Sequence, residues 1–470
     1  MDLEVFVTRG LGDSSYLLAS GREAVLVDPQ RDAWRFVAAA EARGLRIVRV
    51  LETHVHNDYL SGALETHAAT GAEIAAPARG RYEFEHRAVD DGDRLELGEY
   101  SLTALATPGH TPEHLTWLVA EAATPNPVAA FTGGSLLVGS VGRTDLLGPA
   151  LTTALTHDQQ RSLRRLAELP DATRILPTHG AGSFCSAGPP ARGRTTTLGD
   201  ERTGNPTFAA VASDQATFRE RLLGASGLVP AYYAHMAALN RRGPRILRGY
   251  RPPPALDPAA FAAAAAGGAR VVDSRDRIAF AAAHVPGSLN IELDETFAGY
   301  VGWLVPFGAP VVVVVAEPTA ATLEETTTQL LRIGYERVLG WLEGGVEGWQ
   351  RTGHEVRGYP TTTMDAINAS AQAGLEKGPE PFYLDVRQPI EWRDEGVIPG
   401  SQRIFVGDLP ARLAEVPGDR PVTVLCRSGA RAAIAASLLD AAGRDVRLVA
   451  RGGVPGWTGG FETPAPDGVR

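Results

Sequence analysis

Short apolar runs rich in Val, Ile and Leu recur along the chain, and several end abruptly at polar residues. The run at 47–51 is followed directly by His and Asp side chains, and the runs at 102–106 and 173–176 are each followed by a His. Short apolar runs of this kind, bounded by turn residues, predict buried β-strands. Residues 32–43 instead have apolar side chains at helical spacing, with Asp32 as the predicted N-cap. Residues 187–206 are rich in Gly, Pro, Arg and Thr and are predicted to be loop. Strands mixed with helices predict an α/β chain built from layers of sheet and helix.

The length and composition predict several globular domains. The 470 residues exceed what one hydrophobic core normally holds, while 44% hydrophobic and 21% charged residues are ordinary for globular proteins. A net charge of -10 without a basic run argues against a nucleic-acid partner. Because there is no membrane-span-length apolar stretch and no secretory signal pattern, we expect a cytoplasmic protein without a membrane partner. The two cysteines, Cys185 and Cys426, fit a reducing compartment.

Histidines follow three of the predicted strands. His54 and His56 come after the first of these runs, together with Asp58, and His110 and His179 follow the other two. One such His is more often a surface or core residue, but three at strand ends predict a shared site. Neutral imidazoles with a nearby carboxylate are typical ligands of first-row metals such as zinc and iron.

These motifs resemble the metallo-β-lactamase fold, and more narrowly its persulfide dioxygenase and sulfur-transfer branch. The resemblance is carried by segments 53–59, 107–110, 141–146 and 177–180. It implies an N-terminal αββα sandwich, to which we assign residues 1–243 together with a helical extension. It is less specific for activity, because one fold hosts many chemistries.

Two positions depart from the family pattern. Tyr59 stands where the family has a further metal-ligating His, which implies one metal rather than two. Gly134 stands where the family usually supplies an Asp ligand. Of the ligands that hold iron in the persulfide dioxygenases, only His54 and His110 therefore have counterparts here.

What remains is a predicted metal site of three imidazoles with two further groups close behind. The predicted ligands are His54, His56 and His110, followed by Asp58 and His179. This set predicts a single Fe(II) or Zn ion, and absence of a metal is the third alternative. Arg143, in a nearby loop, is predicted to bind the carboxylate of a thiol substrate, because guanidinium forks match carboxylates; a surface salt bridge is the alternative.

The C-terminal half contains an internal repeat. Segments 271–275, 284–288 and 344–349 return as 383–387, 397–401 and 452–457. A period of about one hundred residues indicates duplicated domains rather than a solenoid. We predict domains at 255–355 and 362–470, each an α/β unit with a parallel sheet.

The second copy carries candidate chemistry at Cys426. This cysteine lies between an apolar strand and a predicted helix, where backbone N–H groups and the helix dipole favour a thiolate. Arg427 and Arg431 add positive charge, and Gly429 completes a Cys-x-x-Gly-x-Arg loop. Such a cysteine is predicted to be nucleophilic and to hold a sulfur atom as a persulfide.

The repeat resembles rhodanese domains, through its Asp-Val-Arg strand end, its Pro-Gly-Ser turn, the cysteine loop and the Gly-Gly-x-x-Gly-Trp close. In the first copy the corresponding loop, 316–320, has no Cys, Gly or Arg. Glu317 in that loop would also repel a sulfur anion. The first copy is therefore predicted to be catalytically inactive, serving as a spacer or docking surface.

Together the resemblances imply an enzyme of sulfur metabolism. The expected activity is sulfur transfer through a persulfide on Cys426, coupled to a persulfide dioxygenase-like metal domain that acts on low-molecular-weight persulfides. Two alternatives remain: a zinc-dependent hydrolase of thioester type with a rhodanese appendage, and a metal-free sulfur carrier with scaffold N-terminal domains. The expected partners are a small thiol or persulfide and thiosulfate, and assembly into a homo-oligomer is left open.

Overall fold

The computed structural model describes residues 1–121, 124, 126–188, 193–224, 226–373 and 382–463. The chain divides into two compact units. The first consists of Met1–Arg251 with Thr328–Gly334, and the second of Pro252–Thr327 with Tyr335–Arg470.

Two six-stranded sheets form the centre of the first unit. In spatial order the first sheet contains Asp2–Thr8, Asp13–Ser20, Glu23–Val27, Arg46–Leu51, Glu73–Pro77 and Arg87–Val89. The second contains Thr196–Thr197, Arg174–Pro177, Pro127–Gly133, Leu115–Glu121, Tyr100–Ala106 and Arg94–Leu97. A small third sheet joins Leu136–Leu137, Ser140–Gly142 and Ser186–Ala187. The pairs that link Glu23–Val27 to Arg46–Leu51 and Pro127–Gly133 to Arg174–Pro177 are parallel.

Helices cover the outer faces of both large sheets. The helices are Trp34–Ala42, Ala63–Thr70, Pro149–Leu166, Leu198–Gly204, Pro206–Ala209, Gln215–Gly224 and Tyr233–Arg242, with 3₁₀ turns at Ala78–Gly80 and Ala210–Ala212. One apolar core, around Tyr16, Leu102 and Trp117, lies between the sheets. Two further cores lie between a sheet and its helices, around Phe36 and around Leu163. The predicted αββα sandwich is therefore confirmed.

Two local predictions in this unit were wrong. Asp32 does not cap the first helix; the N-cap is Ala33, and the Asp32 carboxylate forms an ion pair with Arg35 at 3.0 Å. The segment after residue 186, predicted to be loop, contains the helix Leu198–Gly204, whose first turn is capped by Thr197. Residues 189–192 of that segment lie outside the described chain.

The second unit contains two five-stranded parallel sheets with the same strand order. The first sheet runs Ala255–Leu256, Val338–Leu342, Val311–Val314, Arg270–Asp273 and Leu289–Asn290. The second runs Thr361–Thr363, Val446–Arg451, Val422–Leu425, Phe382–Asp385 and Gln402–Arg403. The predicted parallel sheets are confirmed by the pairing of each neighbouring strand. The exact domain limits, 255–355 and 362–470, stay a prediction.

Helices connect these strands. In the first copy they are Pro258–Ala266, Arg277–Ala282, Phe297–Leu304, Ala320–Arg332 and Gly345–Arg351. In the second copy they are Met364–Ala373, Pro389–Glu395, Leu409–Arg412 and Ala430–Ala441, with 3₁₀ turns at Leu413–Glu415 and Val454–Gly456. Nowhere in the described chain is a helix both long enough and apolar enough to cross a membrane.

A buried ion pair explains why Asp-x-Arg recurs in both copies. Arg387 turns back on Asp385, donating from Nη2 at 2.8 Å and from its backbone N at 3.0 Å. Both side chains are fully buried. Arg275 binds Asp273 in the same way, with Nη2 at 2.7 Å. The motif therefore fixes the end of a central strand in each copy.

We predict that Arg387→Ala strongly destabilises the second unit. The substitution leaves the Asp385 carboxylate buried without its cation, which typically costs about 3–5 kcal/mol. Urea denaturation followed by tryptophan fluorescence measures the change in the free energy of unfolding. Arg393→Ala is the matched control, because it breaks a pair with Asp394 whose side chains are 65% and 54% exposed and should leave stability unchanged. Equal denaturation midpoints for the two variants would contradict the prediction.

Candidate functional site

Three strand ends of the first unit bring their histidines together. His54, His110 and His179 follow the strands Arg46–Leu51, Tyr100–Ala106 and Arg174–Pro177, as predicted. All three side chains are buried. The ring centroids lie 5.1 Å apart for His54 and His110, 5.2 Å for His54 and His179, and 5.3 Å for His110 and His179.

Hydrogen bonds orient these three rings so that each Nε2 faces the same space. His110 donates from Nδ1 to the Arg143 carbonyl at 2.8 Å, and its buried Nε2 has no hydrogen-bond partner. The Nδ1 atoms of His54 and His179 lie 2.8 Å from Thr53 Oγ1 and 2.9 Å from Asp13 Oδ1. The Nε2 atoms of His54 and His179 are only 3.2 Å apart. Two ring nitrogens this close need either a proton or a metal cation between them.

The structure groups the predicted ligands differently from the prediction. Among the described residues, three sets have ligand atoms within 4.8 Å of one another: His54, His110 and His179; His56, Asp58 and His179; and Asp28, His54 and His56. The set that contains His54 and His110 has His179 as its third member, and the choice of ligands stays a prediction. His56 belongs to the neighbouring sets.

The atoms without hydrogen bonds fit a metal ion. Buried polar atoms in folded proteins are almost always hydrogen-bonded, so exceptions need an explanation. Both Asp58 carboxylate oxygens and His56 Nδ1 are such exceptions, although Asp58 Oδ2 lies 3.1 Å from His179 Nδ1. Imidazole nitrogens next to a carboxylate suit zinc or iron, and the Asp13–His179 contact is the usual outer support of a metal-binding His.

The electrostatics of the cluster hold His54 and His110 in the neutral form and favour a proton on His179. Burial lowers the pKa of His110 to about 3, with a further contribution from the charge of His179. Burial also lowers the pKa of His54 well below its usual value. At His179 the effect of burial is outweighed by the carboxylates of Asp58 and Asp13, which raise its pKa to about 10. His54 and His110 are therefore held in the neutral form that binds metals.

Tyr59 and Gly134, the two departures from the family pattern, are both built into the site. The Tyr59 ring stacks on His56 with centroids 4.3 Å apart, and its hydroxyl lies 3.1 Å from His56 Nε2. A Cβ placed on Gly134 would lie 2.2 Å from Cδ2 of His110. The His110 ring thus occupies the space in which a side chain at position 134 would begin.

Sequence reasoning missed two groups in this cluster. His114 stacks on His54 with centroids 5.0 Å apart, and its Nε2 accepts a hydrogen bond from Gly134 N at 2.9 Å. That bond occupies the nitrogen that could have bound a metal. Asp28 accepts from Thr53 N at 2.8 Å and lies 3.4 Å from His56. The available signals were a second His in the His110 turn and a carboxylate at a strand end.

Arg143 is engaged by protein groups. Its side chain is 6% exposed and pairs with Asp145, with Nε donating at 2.6 Å and Nη2 at 2.7 Å. Nη1 donates to the Gly227 carbonyl at 2.8 Å. These bonds show that Arg143 stabilises the surrounding loops. Its role in binding substrate stays a prediction.

Cys426 lies at the expected strand-to-helix turn. It follows the buried strand Val422–Leu425, and the helix Ala430–Ala441 begins four residues later. Its Sγ accepts a hydrogen bond from Gly429 N at 3.1 Å. Gly429 has φ 101°, a left-handed conformation that glycine adopts without strain. The sulfur therefore points toward the backbone amides that were predicted to stabilise it.

The two arginines of the loop are paired with carboxylates. Arg431 binds Glu391, with Nη2 donating at 2.7 Å, and Arg427 binds Glu395. Burial raises the pKa of Glu391, but the hydrogen bond and charge of Arg431 outweigh that effect and lower it. Because both guanidinium charges are balanced in this way, they contribute less positive field at the sulfur than the sequence suggested.

Family models match both halves of the chain. The Metallo-beta-lactamase superfamily model matches residues 8–179, and the Rhodanese-like domain model matches 257–352 and 368–459. Both copies of the repeat are thus recognised, including the one without a cysteine.

Proteins similar to this chain match it over different shares of its length. A hydroxyacylglutathione hydrolase of Fuscovulum blasticum is 35% identical to this chain. The match covers 34% of this chain and 58% of the relative's length. A probable metallo-hydrolase of Burkholderia pseudomallei is 33% identical over 38% of this chain and 72% of the relative. A metallo-beta-lactamase structure from Staphylococcus aureus aligns with TM-score 0.64 and 27% identity, covering 73% of this chain and 98% of that one.

We predict that the histidine cluster binds about one metal ion per chain, held by His54, His110 and His179. Full-length protein purified without chelator is analysed by inductively coupled plasma mass spectrometry. His110→Ala should lose the metal, because it removes the Nε2 that has no protein partner. His157→Ala, at an exposed position, is the control and should retain it. Equal metal content in the two variants would contradict the assignment.

Proposed function

The chain belongs to the metallo-beta-lactamase superfamily and carries two rhodanese-like domains, and from this combination we propose that it is a sulfurtransferase acting through Cys426. The proposal couples sulfur transfer to a metal domain that acts on low-molecular-weight persulfides. It includes a cytoplasmic location and a small thiol, persulfide or thiosulfate as the partner molecule.

The observation that carries the proposal is the hydrogen bond from Gly429 N to Cys426 Sγ, 3.1 Å long. It lies at the N-terminus of a 12-residue helix, where the partial positive charge of the helix dipole also favours an anion. The same groups stabilise a thiolate before transfer and a persulfide anion after it. An inert structural cysteine has no need of such an arrangement.

The transfer step follows from the chemistry of the thiolate. Cys426 attacks the outer sulfur of thiosulfate, a new S–S bond forms on the cysteine, and the original S–S bond breaks to release sulfite. An acceptor thiolate or cyanide then attacks the outer sulfur of the persulfide. That second attack releases the sulfur on the acceptor and restores the Cys426 thiolate, so no external oxidant or reductant is consumed.

The first unit supplies a second activity in this proposal. His54, His110 and His179 would hold the metal, with Asp58 beside them. A bound iron would supply redox chemistry with oxygen, and a bound zinc would supply Lewis-acid chemistry. Around it, Asp13 and Thr53 orient the ligand rings through their Nδ1 atoms.

Oxidation of a persulfide is favoured by the fusion of this unit to a sulfur-carrying domain on one chain. Hydrolysis of a thioester is the second candidate, and it is favoured by relatives named hydroxyacylglutathione hydrolase. Tyr59 weakens that candidate as a two-metal enzyme, because its ring stacks on His56 where a further ligand would stand.

Cys426→Ser should reduce thiosulfate:cyanide sulfur transfer to background, because serine provides no thiolate to accept the sulfur. Thiocyanate formation measures the turnover. Cys185→Ser is the matched control, since Cys185 is fully buried in the first unit and burial raises its pKa well above the usual value. Unchanged turnover in Cys426→Ser would refute the assignment.

The metal domain is tested by supplying glutathione persulfide to the full-length protein. We expect iron in the purified protein and oxygen uptake with sulfite formation, measured with an oxygen electrode. His54→Ala should abolish the uptake while thiosulfate:cyanide transfer continues. Zinc with thioester hydrolysis and no uptake would favour the hydrolase, and absence of metal would favour the sulfur carrier.

A further inference from the structure

One peptide unit next to Cys426 is held from both sides. The N–H of Gly429 donates to Cys426 Sγ at 3.1 Å. The carbonyl of Ser428, which belongs to the same peptide unit, accepts a hydrogen bond from Arg277 Nη1 at 3.0 Å. Arg277 comes from the first copy of the repeat, where it begins the helix Arg277–Ala282.

The geometry of a trans peptide links these two hydrogen bonds. The C=O and N–H of one planar unit point in opposite directions, so a group that fixes the carbonyl also fixes the direction of the N–H. A donor on the carbonyl polarises the amide as well, and connected hydrogen bonds strengthen one another. Arg277 thereby acts on the sulfur of Cys426 through the Ser428–Gly429 peptide without contacting it.

Arg277 is itself held in place by Glu292. Its Nε donates to Glu292 Oε1 at 3.0 Å, Nη2 pairs with Oε2, and its backbone N donates to Oε1 at 2.9 Å. Its side chain is 19% exposed and that of Glu292 is 17% exposed. Nε and Nη2 of Arg277 thus bind Glu292 within the first copy, and Nη1 is left to bind the cysteine loop of the second.

Arg277 lies so close to the cysteine loop that position 429 has no room for a side chain. A Cβ placed on Gly429 would lie 2.5 Å from Arg277 Nη1 and 2.5 Å from the Ala450 carbonyl oxygen. Gly429 thus meets two demands, since its φ of 101° also favours glycine. Arg277 is therefore packed against the turn that presents the N–H to sulfur.

The repeat itself argues that Arg277 is not needed for the shared fold. Alignment of Asp273 and Arg275 with Asp385 and Arg387 places Pro389 opposite Arg277. The arginine is thus particular to the copy whose own loop lacks a cysteine. A residue required to build this domain would be expected in both copies.

We propose that Arg277 is a positioning residue for Cys426, through which the cysteine-free first copy orients the peptide N–H that stabilises the thiolate and the persulfide. The proposal rests on the proposed sulfur transfer at Cys426. It gives the first copy a role in the chemistry of the second beyond that of a spacer.

The test uses the full-length chain with Cys185→Ser. Of the two cysteines in the sequence, this variant retains Cys426 alone. The rate of iodoacetamide alkylation at neutral pH reports the reactive thiolate, and thiosulfate:cyanide turnover gives kcat and KM. Arg277→Ala should lower both the alkylation rate and kcat roughly tenfold, the value expected for one hydrogen bond that supports a charged group, with KM for thiosulfate unchanged. Arg277→Lys, which keeps a cationic donor, should restore most of both rates.

Arg337→Ala is the matched control, because Arg337 also belongs to the first copy and donates Nη1 to a main-chain carbonyl, that of Gly308, at 3.4 Å. It should leave both rates unchanged. Circular dichroism and thermal melting verify that each variant is folded. If Arg277→Ala does not fold, Arg277→Gln combined with Glu292→Gln carries the same test, because it retains both side-chain stems and removes both charges.

Three outcomes would overturn the proposal. Unchanged rates in Arg277→Ala would show that the contact has no effect on the sulfur. Faster alkylation would show that Arg277 merely covers the thiol, and a raised KM with unchanged kcat would make it a substrate ligand. Alkylation needs no sulfur donor, so it tests Arg277 even where thiosulfate proves to be the wrong substrate.

Discussion

Buried carboxylates at strand ends hold the loops that carry the chemistry of both units. In the first unit Asp28 accepts hydrogen bonds from Thr53 N, at 2.8 Å, and from Thr178 Oγ1, and thereby ties two histidine-bearing loops to one anion. In the second unit Asp385 accepts a hydrogen bond from Arg387. It lies at the end of the strand that pairs with the one leading to Cys426. A buried charge is strongly unfavourable without its partners, so the groups that pair with each carboxylate are held at the end of its strand. Each unit thus has a buried, paired carboxylate close to its site.

The sequence was sufficient for the fold because its signals are local and repeated. Runs that stop at a polar cluster marked strands such as Arg46–Leu51 and Arg174–Pro177 to within one residue. The duplicated Asp-x-Arg motif implied two similar parallel sheets, and the strand orders of the two sheets are the same. The helix Leu198–Gly204 was missed, although Thr197 followed by Asp200 is a typical N-cap pattern in the sequence. A run of Gly, Pro and Arg before it dominated the interpretation of that segment.

The sites were less predictable because their chemistry depends on partners that are distant along the chain. The convergence of His54, His110 and His179 was expected, but the orientations of the His54 and His179 rings depend on Thr53 and Asp13. No spacing rule carries that information. The charge balance of the cysteine loop was likewise hidden, because the carboxylates that neutralise its arginines come from the helix Pro389–Glu395, about thirty residues earlier in the chain. The net charge around a nucleophilic cysteine therefore cannot be read from the sequence of its own loop alone.

That balance changes the account of how Cys426 is activated. With Arg431 paired to Glu391, the sulfur is left mainly with peptide dipoles, which carry no net charge and bring no counterion into the pocket. Dipoles act only when they are correctly aimed, so the orientation of the Ser428–Gly429 peptide matters more here than the number of nearby cations. Cys426 is 1% exposed, so the sulfur is enclosed by protein groups, of which the Gly429 amide is one. The hydrogen bond from Arg277 to the Ser428 carbonyl comes from outside the loop, and it therefore holds the direction of the Gly429 N–H independently of the charges within the loop.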